Sequence, residues 1–337
     1  MRSNKNIAKK KQLLGLLLLF IPLFSVGLAE GDTTVVFGTQ WFAEAQQGGF
    51  YEALANGVYK KYGLNVIIKM GGPNINGQQL LSAGQYQFYQ GRGINQLVAL
   101  DHKLPLVTVA AFFQKSPDCI YAHDDIRNPY QLANEKYKIL VAPDDMQSWW
   151  PWAIRKFGYK ASQAGVYTGS IIPFLANKNI AQQGYYGAED FMIMKSGEKF
   201  RTFLLTDYGY PEYSGTIQTT DNMVRHHPGI VKRFVEASLI GWKEYLQNPA
   251  PGNFLIRKAN PKQTSDQLAY SMKTIVDGQL LEDAKAKSVG IGIMTARRWK
   301  RIFKMAVHNG LVNKHLLWRK AFTLTFINRI HVYLKSK

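Results

Sequence analysis

Short runs of β-branched and aromatic residues alternate with longer stretches of helical periodicity along most of the chain, and that alternation predicts an α/β fold. Residues 33–39 read as a strand and residues 48–62 as a helix ending at Gly63. Residues 65–70 form a second strand closed by Gly71, Gly72 and Pro73, residues 78–83 a helical segment, and residues 106–113 a buried strand. Residues 87–91 end another short strand. A similar set starts after Asp118, with a strand over 139–142, a helix over 150–157 ending at Gly158, and a strand over 165–168. The chain then returns through 203–205 and 215–219 into a helical C-terminal third. There Ile230, Val231, Phe234, Val235, Leu239 and Ile240 make an apolar stripe along 228–246. No solenoid-period repeat and no low-complexity linker divides the chain. Two lobes joined by crossing strands fit this pattern better than two independent beads.

A different pattern fills the first thirty residues. Arg2, Lys5 and the run Lys9, Lys10, Lys11 precede an apolar stretch over 13–24, and small residues follow at Ser25, Gly27 and Ala29. This is the layout of a secretory signal peptide, and the apolar run is shorter than the roughly 20 residues a spanning helix needs. We place cleavage after Ala29, with an uncleaved anchor as the alternative. No cysteine lies in or just after the apolar segment to carry a lipid, so the mature protein is expected free in a periplasm.

Charge adds little to this reading. The formal net charge is +19, and because residues 1–29 carry five basic and no acidic groups it falls to +14 on cleavage. The densest basic cluster, Arg297, Arg298, Trp299, Lys300 and Arg301, reads as a solvated helix face, and export makes nucleic acid an unexpected partner. Cys119 is the single cysteine, which excludes an intramolecular disulfide and a cysteine-based metal site.

The segment TQWFAEAQQGGFY at 39–51 continues through NGVYKKYGLNVIIKMGGPNINGQQLLSAGQYQFYQG. With QSWWPWAIRKFGY at 147–159, FLLTDYGYPEYSGTI at 203–217 and the helix at 226–253, it resembles the SsuA/THI5-like (NMT1-type) ABC-importer substrate-binding proteins over nearly all of the mature chain. The resemblance implies a type II periplasmic binding protein fold, two α/β lobes with a hinge of two crossing strands that close over a ligand. Residues 30–115 and 216–337 would form the first lobe and 116–215 the second. It also implies an ABC permease as partner, a small-molecule ligand, no cofactor and a monomer. Pyrimidine-type thiamine precursors lead the ligand candidates by resemblance, followed by sulfonates such as taurine, nitrate-like anions and other nitrogen heterocycles.

Ligands of open α/β sheets sit at the carboxyl ends of strands, so the turns there supply the candidate site. Trp41, directly after a strand, offers a flat face for stacking, or packs in the core. Gln46 and Gln47 add neutral donors and acceptors. Gly48 opens a helix whose bare N–H groups can receive an oxygen, or it only permits close helix–strand contact. Tyr89 supplies a second aromatic wall, beside Gly91. Arg92 either favours a carboxylate, sulfonate or phosphate at the cleft rim or points to solvent. Gln87 stands where the family usually has an acidic residue.

In the second set of turns, Gln147 precedes Ser148, a candidate helix cap whose N–H groups would face the cleft. Of Trp149, Trp150 and Trp152, one or two are expected to pack inward. Glu189 follows Gly187 and Ala188, where relatives have a Ser/Thr-Glu-Pro turn; the Pro is lost here. Asp207 and Tyr208 lie near the return hinge and would meet a basic ligand or form a structural turn.

Two other classes compete with this reading. The eukaryotic members of this resemblance group make a thiamine pyrimidine precursor with a CCCFC segment, iron, and a lysine–histidine pair involving pyridoxal phosphate. Here one cysteine is present, no lysine occurs between Lys69 and Lys103, and the histidines lack metal-ligand spacing, so an enzyme is not expected. The basic tail from Arg319 motivates an envelope interaction protein, or a docking strand or helix that covers a lobe.

Overall fold

The computed structural model describes residues 32–334, so the signal segment read over 1–29 lies outside the described residues. The strands run in chain order as β1 (Thr33–Gly38), β2 (Leu64–Lys69), β3 (Phe88–Gly91), β4 (Leu106–Phe113), β5 (Asp118–His123), β6 (Lys138–Val141), β7 (Ala164–Val166), β8 (Ile180–Tyr185), β9 (Phe200–Leu204) and β10 (Ser214–Thr220). They form two five-stranded sheets ordered β2-β1-β3-β10-β4 and β7-β6-β8-β5-β9. In each sheet a parallel trio is flanked by an antiparallel pair: β10 runs against β3 and β4, as β5 runs against β8 and β9. The chain leaves the first sheet between Phe113 and Asp118 and returns between Leu204 and Ser214. This is the two-sheet α/β architecture of periplasmic binding proteins.

The helices used below are α1 (Gly48–Ala55), α2 (Gly93–Asp101), α3 (Trp150–Phe157), α4 (Glu189–Lys195), α5 (Pro228–Gln247), α6 (Ser265–Asp277) and α7 (Ala296–His308). The single helix expected over 48–62 is two: Gly57 adopts a left-handed φ of 66° and ends the first run before Val58–Lys61 resumes. The stripe on α5 buries Val231, Phe234, Val235 and Leu239 against the first sheet, where Phe88 stacks on Phe234 at 4.1 Å and Phe37 meets Phe50 at 4.6 Å. Each such ring contributes about 1.5–3 kcal/mol by leaving water.

Helix α1 lies so close to α5 that a Cβ on Gly241 would fall 2.2 Å from the Gly49 carbonyl oxygen, and one on Gly49 2.2 Å from the Trp242 ring. Close packing is therefore the role of the Gly48–Gly49 pair. A Cβ on Gly48 would strike Tyr245 at 2.2 Å, and Gly48 stands away from the cleft described below.

Trp149, Trp150 and Trp152 are all buried in the core of the second sheet, where one or two were expected. Trp149, with right-handed helical φ and ψ, stands at the N-cap of α3 in place of Ser148. Among its described residues the tail forms two short 3-10 turns, Trp318–Ala321 and Ile327–Arg329. It pairs with the first sheet through one bridge, Thr108 to Phe322, and lays Phe322 on Trp299 at 5.0 Å while burying Phe326, Ile327 and Ile330.

Candidate ligand-binding cleft

The turns that leave β1 and β3 of the first sheet meet those that leave β6 and β8 of the second, and between them lies a cleft of about 970 Å³ including its open mouth. Trp41, Tyr89 and Tyr185 give it aromatic surface, and Gln46, Gln47, Asn95 and Gln183 give it neutral amides.

Trp41 is half-buried, packs edge-on against Phe42 at 5.3 Å, and touches the Leu140, Ala142 and Tyr167 cluster of the second sheet. It therefore spans the cleft while keeping surface on it. Gln47 turns its side-chain oxygen back to accept the Glu44 N–H at 3.1 Å, so its amide is already engaged. Gln46 differs: only 1% exposed, it has both its amide nitrogen and its oxygen without a hydrogen-bond partner. A buried amide left so costs about 1–3 kcal/mol, which a polar ligand group would recover.

Arg92 neither points to solvent nor offers a free charge. Its guanidinium bridges Asp118 at 3.1 Å and Asp145, both nearly fully buried, and lies 5.9 Å from the centre of the Tyr185 ring. Burial works against its charge, yet Asp118 and Asp145 more than offset that and hold its pKa well above the usual arginine range. The sequence left Arg92 open between an anion at the cleft rim and solvent; its side chain instead pairs with two buried carboxylates.

The remaining ionisable groups of the cleft are acids. Glu189 accepts from the Tyr167 hydroxyl and the Tyr185 N–H, both at 2.8 Å, and burial pushes its carboxyl up to about 7. Burial, with Glu189 nearby, pushes Glu44 up to about 8. Asp144 is also raised, by burial first. With Glu44 and Glu189 raised this far, the cleft holds carboxyls that near neutral pH donate as well as accept hydrogen bonds, beside an arginine that is already paired. Among the described residues no group of three or more His, Cys, Asp or Glu is arranged as a metal site.

Of the residues named from sequence, Trp41, Gln46, Gln47, Tyr89, Gly91, Arg92 and Glu189 come together here. Gln147 stands outside on an exposed recess shared with Asn76, Asn95 and Asp144. Ser148 donates to Asp145 at 3.2 Å and thereby steadies the arginine bridge, and Trp149 is core. Asp207 and Tyr208 sit in a short turn, Leu205–Tyr208, with the Tyr208 ring on Phe157 and Phe203, because aromatic packing rather than the hinge claims that side chain. Sequence reasoning missed Glu44, Asp144, Asp145, Gln183 and Tyr185. Glu44 carried a signal, since it follows Trp41 in the same turn; Tyr185 ends a strand that was not read.

The fold recurs in solved structures. The alkanesulfonate-binding protein SsuA from Xanthomonas axonopodis pv. citri, bound to MOPS, superposes with a TM-score of 0.64 at 12% identity, covering 88% of this chain and 100% of that one. The aliphatic sulphonate binding protein SsuA from Escherichia coli gives 0.61 at 14% identity, over 90% and 94%. The desulfurization enzyme DSZB gives 0.57 at 12% identity, over 88% and 98%, so an enzyme also carries this fold. In sequence, the riboflavin-binding protein RibY of Chloroflexus aurantiacus is 21% identical over 306 residues, which cover 87% of this chain and 86% of that protein. The family described as NMT1/THI5 like matches residues 44–251, a span that holds most of the cleft, and the chain belongs to that family.

Proposed function

We propose that the chain is the exported solute-binding component of an ABC importer, and that its cleft closes over a small planar nitrogen heterocycle that is uncharged or cationic. The observation that carries the ligand class is the pairing of a partnerless buried amide, Gln46, with a single cation already neutralised by Asp118 and Asp145. A neutral ring with N–H and carbonyl or ring-nitrogen groups satisfies Gln46 and the carboxyls, and stacks on Trp41. Pyrimidine precursors of thiamine have that chemistry, and so does the isoalloxazine of riboflavin, which the likeness to RibY adds as a candidate. Sulfonate- and nitrate-like anions lose support, because the guanidinium of Arg92 already pairs with two carboxylates and keeps only its Nε–H without a partner.

On this reading residues 30–115 with 216–337 and residues 116–215 are the two lobes, closure about the two crossings holds the ligand, the protein works as a periplasmic monomer, and a permease receives the cargo. It is not a catalyst. A thermal-shift screen of aminopyrimidines, riboflavin and alkanesulfonates tests it, since binding to the folded state alone raises the melting temperature. A heterocycle raises it and sulfonates leave it unchanged. A sulfonate shift with none from heterocycles overturns the ligand class, and turnover of a pyrimidine precursor with iron or pyridoxal phosphate overturns the transport reading.

A further inference from the structure

From residue 284 to residue 337 the chain holds 13 Lys and Arg and no Asp or Glu. The fold gathers much of this charge on one face. Helix α7 buries Trp299, Ile302 and Ala306 against the first-sheet core and turns Arg297, Lys300, Arg301 and Lys304 to solvent. The short turn Trp318–Ala321 packs beside it through Trp318, which lies on Phe303 at 6.0 Å, and adds exposed Arg319 and Lys320. None of these six makes an ion pair among the described residues. Arg298, which points inward over Tyr213 at 4.1 Å, is the one basic residue of α7 with a carboxylate near, Asp283 at 4.0 Å. The nearby Asp101 carboxylate is occupied by the Asn313 N–H at 3.1 Å.

The second observation is apolar. Leu317 is 65% exposed in the midst of this charge, next to half-buried Trp318, over which the Arg319 guanidinium sits at 4.5 Å. Leucine and tryptophan flanked by arginine and lysine match the headgroup layer of a membrane, with a wet charged plane above an apolar one. A nucleic acid or an acidic protein satisfies the charges and leaves Leu317 without a reason.

We propose that the α7 face, with Leu317 and Trp318, is a peripheral docking surface for anionic phospholipid headgroups. It goes beyond the transport reading and does not depend on it: the face holds the protein at a membrane surface, and among the described residues no helix is long and apolar enough to cross one. Each basic residue near an anionic surface contributes roughly a fivefold gain in partition.

The test is co-sedimentation of the full chain with vesicles of phosphatidylcholine alone or with three-tenths phosphatidylglycerol, at 0.05 and 0.5 M NaCl. The protein sediments with the anionic vesicles at low salt and is released at high salt, as screening requires. The triple variant K300E/R301E/K304E keeps its melting temperature and loses about 100-fold in partition. The N-terminal apolar segment and its lysines are the same in both proteins, so the difference reports α7. Leu317→Ser weakens binding and leaves the salt dependence unchanged. Equal partition of the triple variant and the parent overturns the proposal. So does displacement by a DNA duplex together with an unaffected L317S, which makes the face a general polyanion site.

Discussion

Replacing Arg92 by Met isolates the claim that this arginine neutralises the cleft rather than serving an anion. The guanidinium holds two carboxylates, Asp118 and Asp145, that are 2% and 3% exposed. Without it Asp118 must remain charged in a poor solvent or take up a proton. From an unfolded pKa near 3.9, protonation at pH 7.5 costs about 5 kcal/mol per group, at about 1.4 kcal/mol per unit. That sets the ceiling, and broken buried pairs fall at about 3–5 kcal/mol. A loss of about 4 kcal/mol lowers the melting temperature by roughly 8–16 °C. Burial already raises Asp118 in the native protein, and the variant raises it further. A carboxyl whose folded pKa lies above its unfolded one destabilises fully above the folded value, and the burden fades as pH falls toward the unfolded one. At pH 5.0 the cost per group drops to about 1.5 kcal/mol, so the deficit shrinks to roughly a third. Scanning calorimetry at pH 7.5 and 5.0 reads both numbers. A variant that melts within 2 °C of the parent at both pH values refutes the reasoning, since the guanidinium would then be spare and free to receive an anion.

Trp41→Ala lowers affinity for the best heterocycle about 30-fold or more, measured by calorimetric titration, because truncating a central aromatic costs about 2 kcal/mol or more; unchanged affinity assigns Trp41 to lobe packing alone. Gly241→Ala forces a methyl against the Gly49 carbonyl and the Ala53 side chain, costs about 1–3 kcal/mol in urea unfolding, and leaves ligand affinity untouched because α1 and α5 meet away from the cleft. Glu44 and Glu189, raised to about 8 and about 7, burden the fold fully above pH 8 and are relieved as pH falls toward 4.5; the ligand-free protein therefore gains melting temperature from pH 8.5 to 6, and Glu44→Gln flattens that slope.

Elements with strong local signals were readable from sequence nearly to the residue. Helix α3 ends where Gly158 takes a left-handed φ of 82°, and β4 is a wholly buried run in which Thr108 is the single polar residue. β5 and β8 were not, because Asp118, His123, Gln182 and Gln183 interrupt any apolar pattern although all four are buried. Three of them meet partners brought in from afar, Arg92 on Asp118, Glu198 on His123 and the Ala142 N–H on Gln183. The cleft shows the same division. Residues of one turn, Trp41 to Gln47, could be read together, whereas the arginine bridge joins β5, the turn after β6 and the start of α2, segments with no local mark of their meeting.

The order of the first sheet has a consequence for how the protein is made. β10 sits between β3 and β4, yet it is synthesised about a hundred residues after them, and the residues that cover Thr108 come later still. Until residue 220 is available, β3 and β4 present open edges to any chain nearby. The second sheet, drawn from one continuous stretch, closes by shorter loops and so forms sooner. A nascent chain of this protein is thus half folded and half sticky, and holdase chaperones have their work set by the position of a single strand.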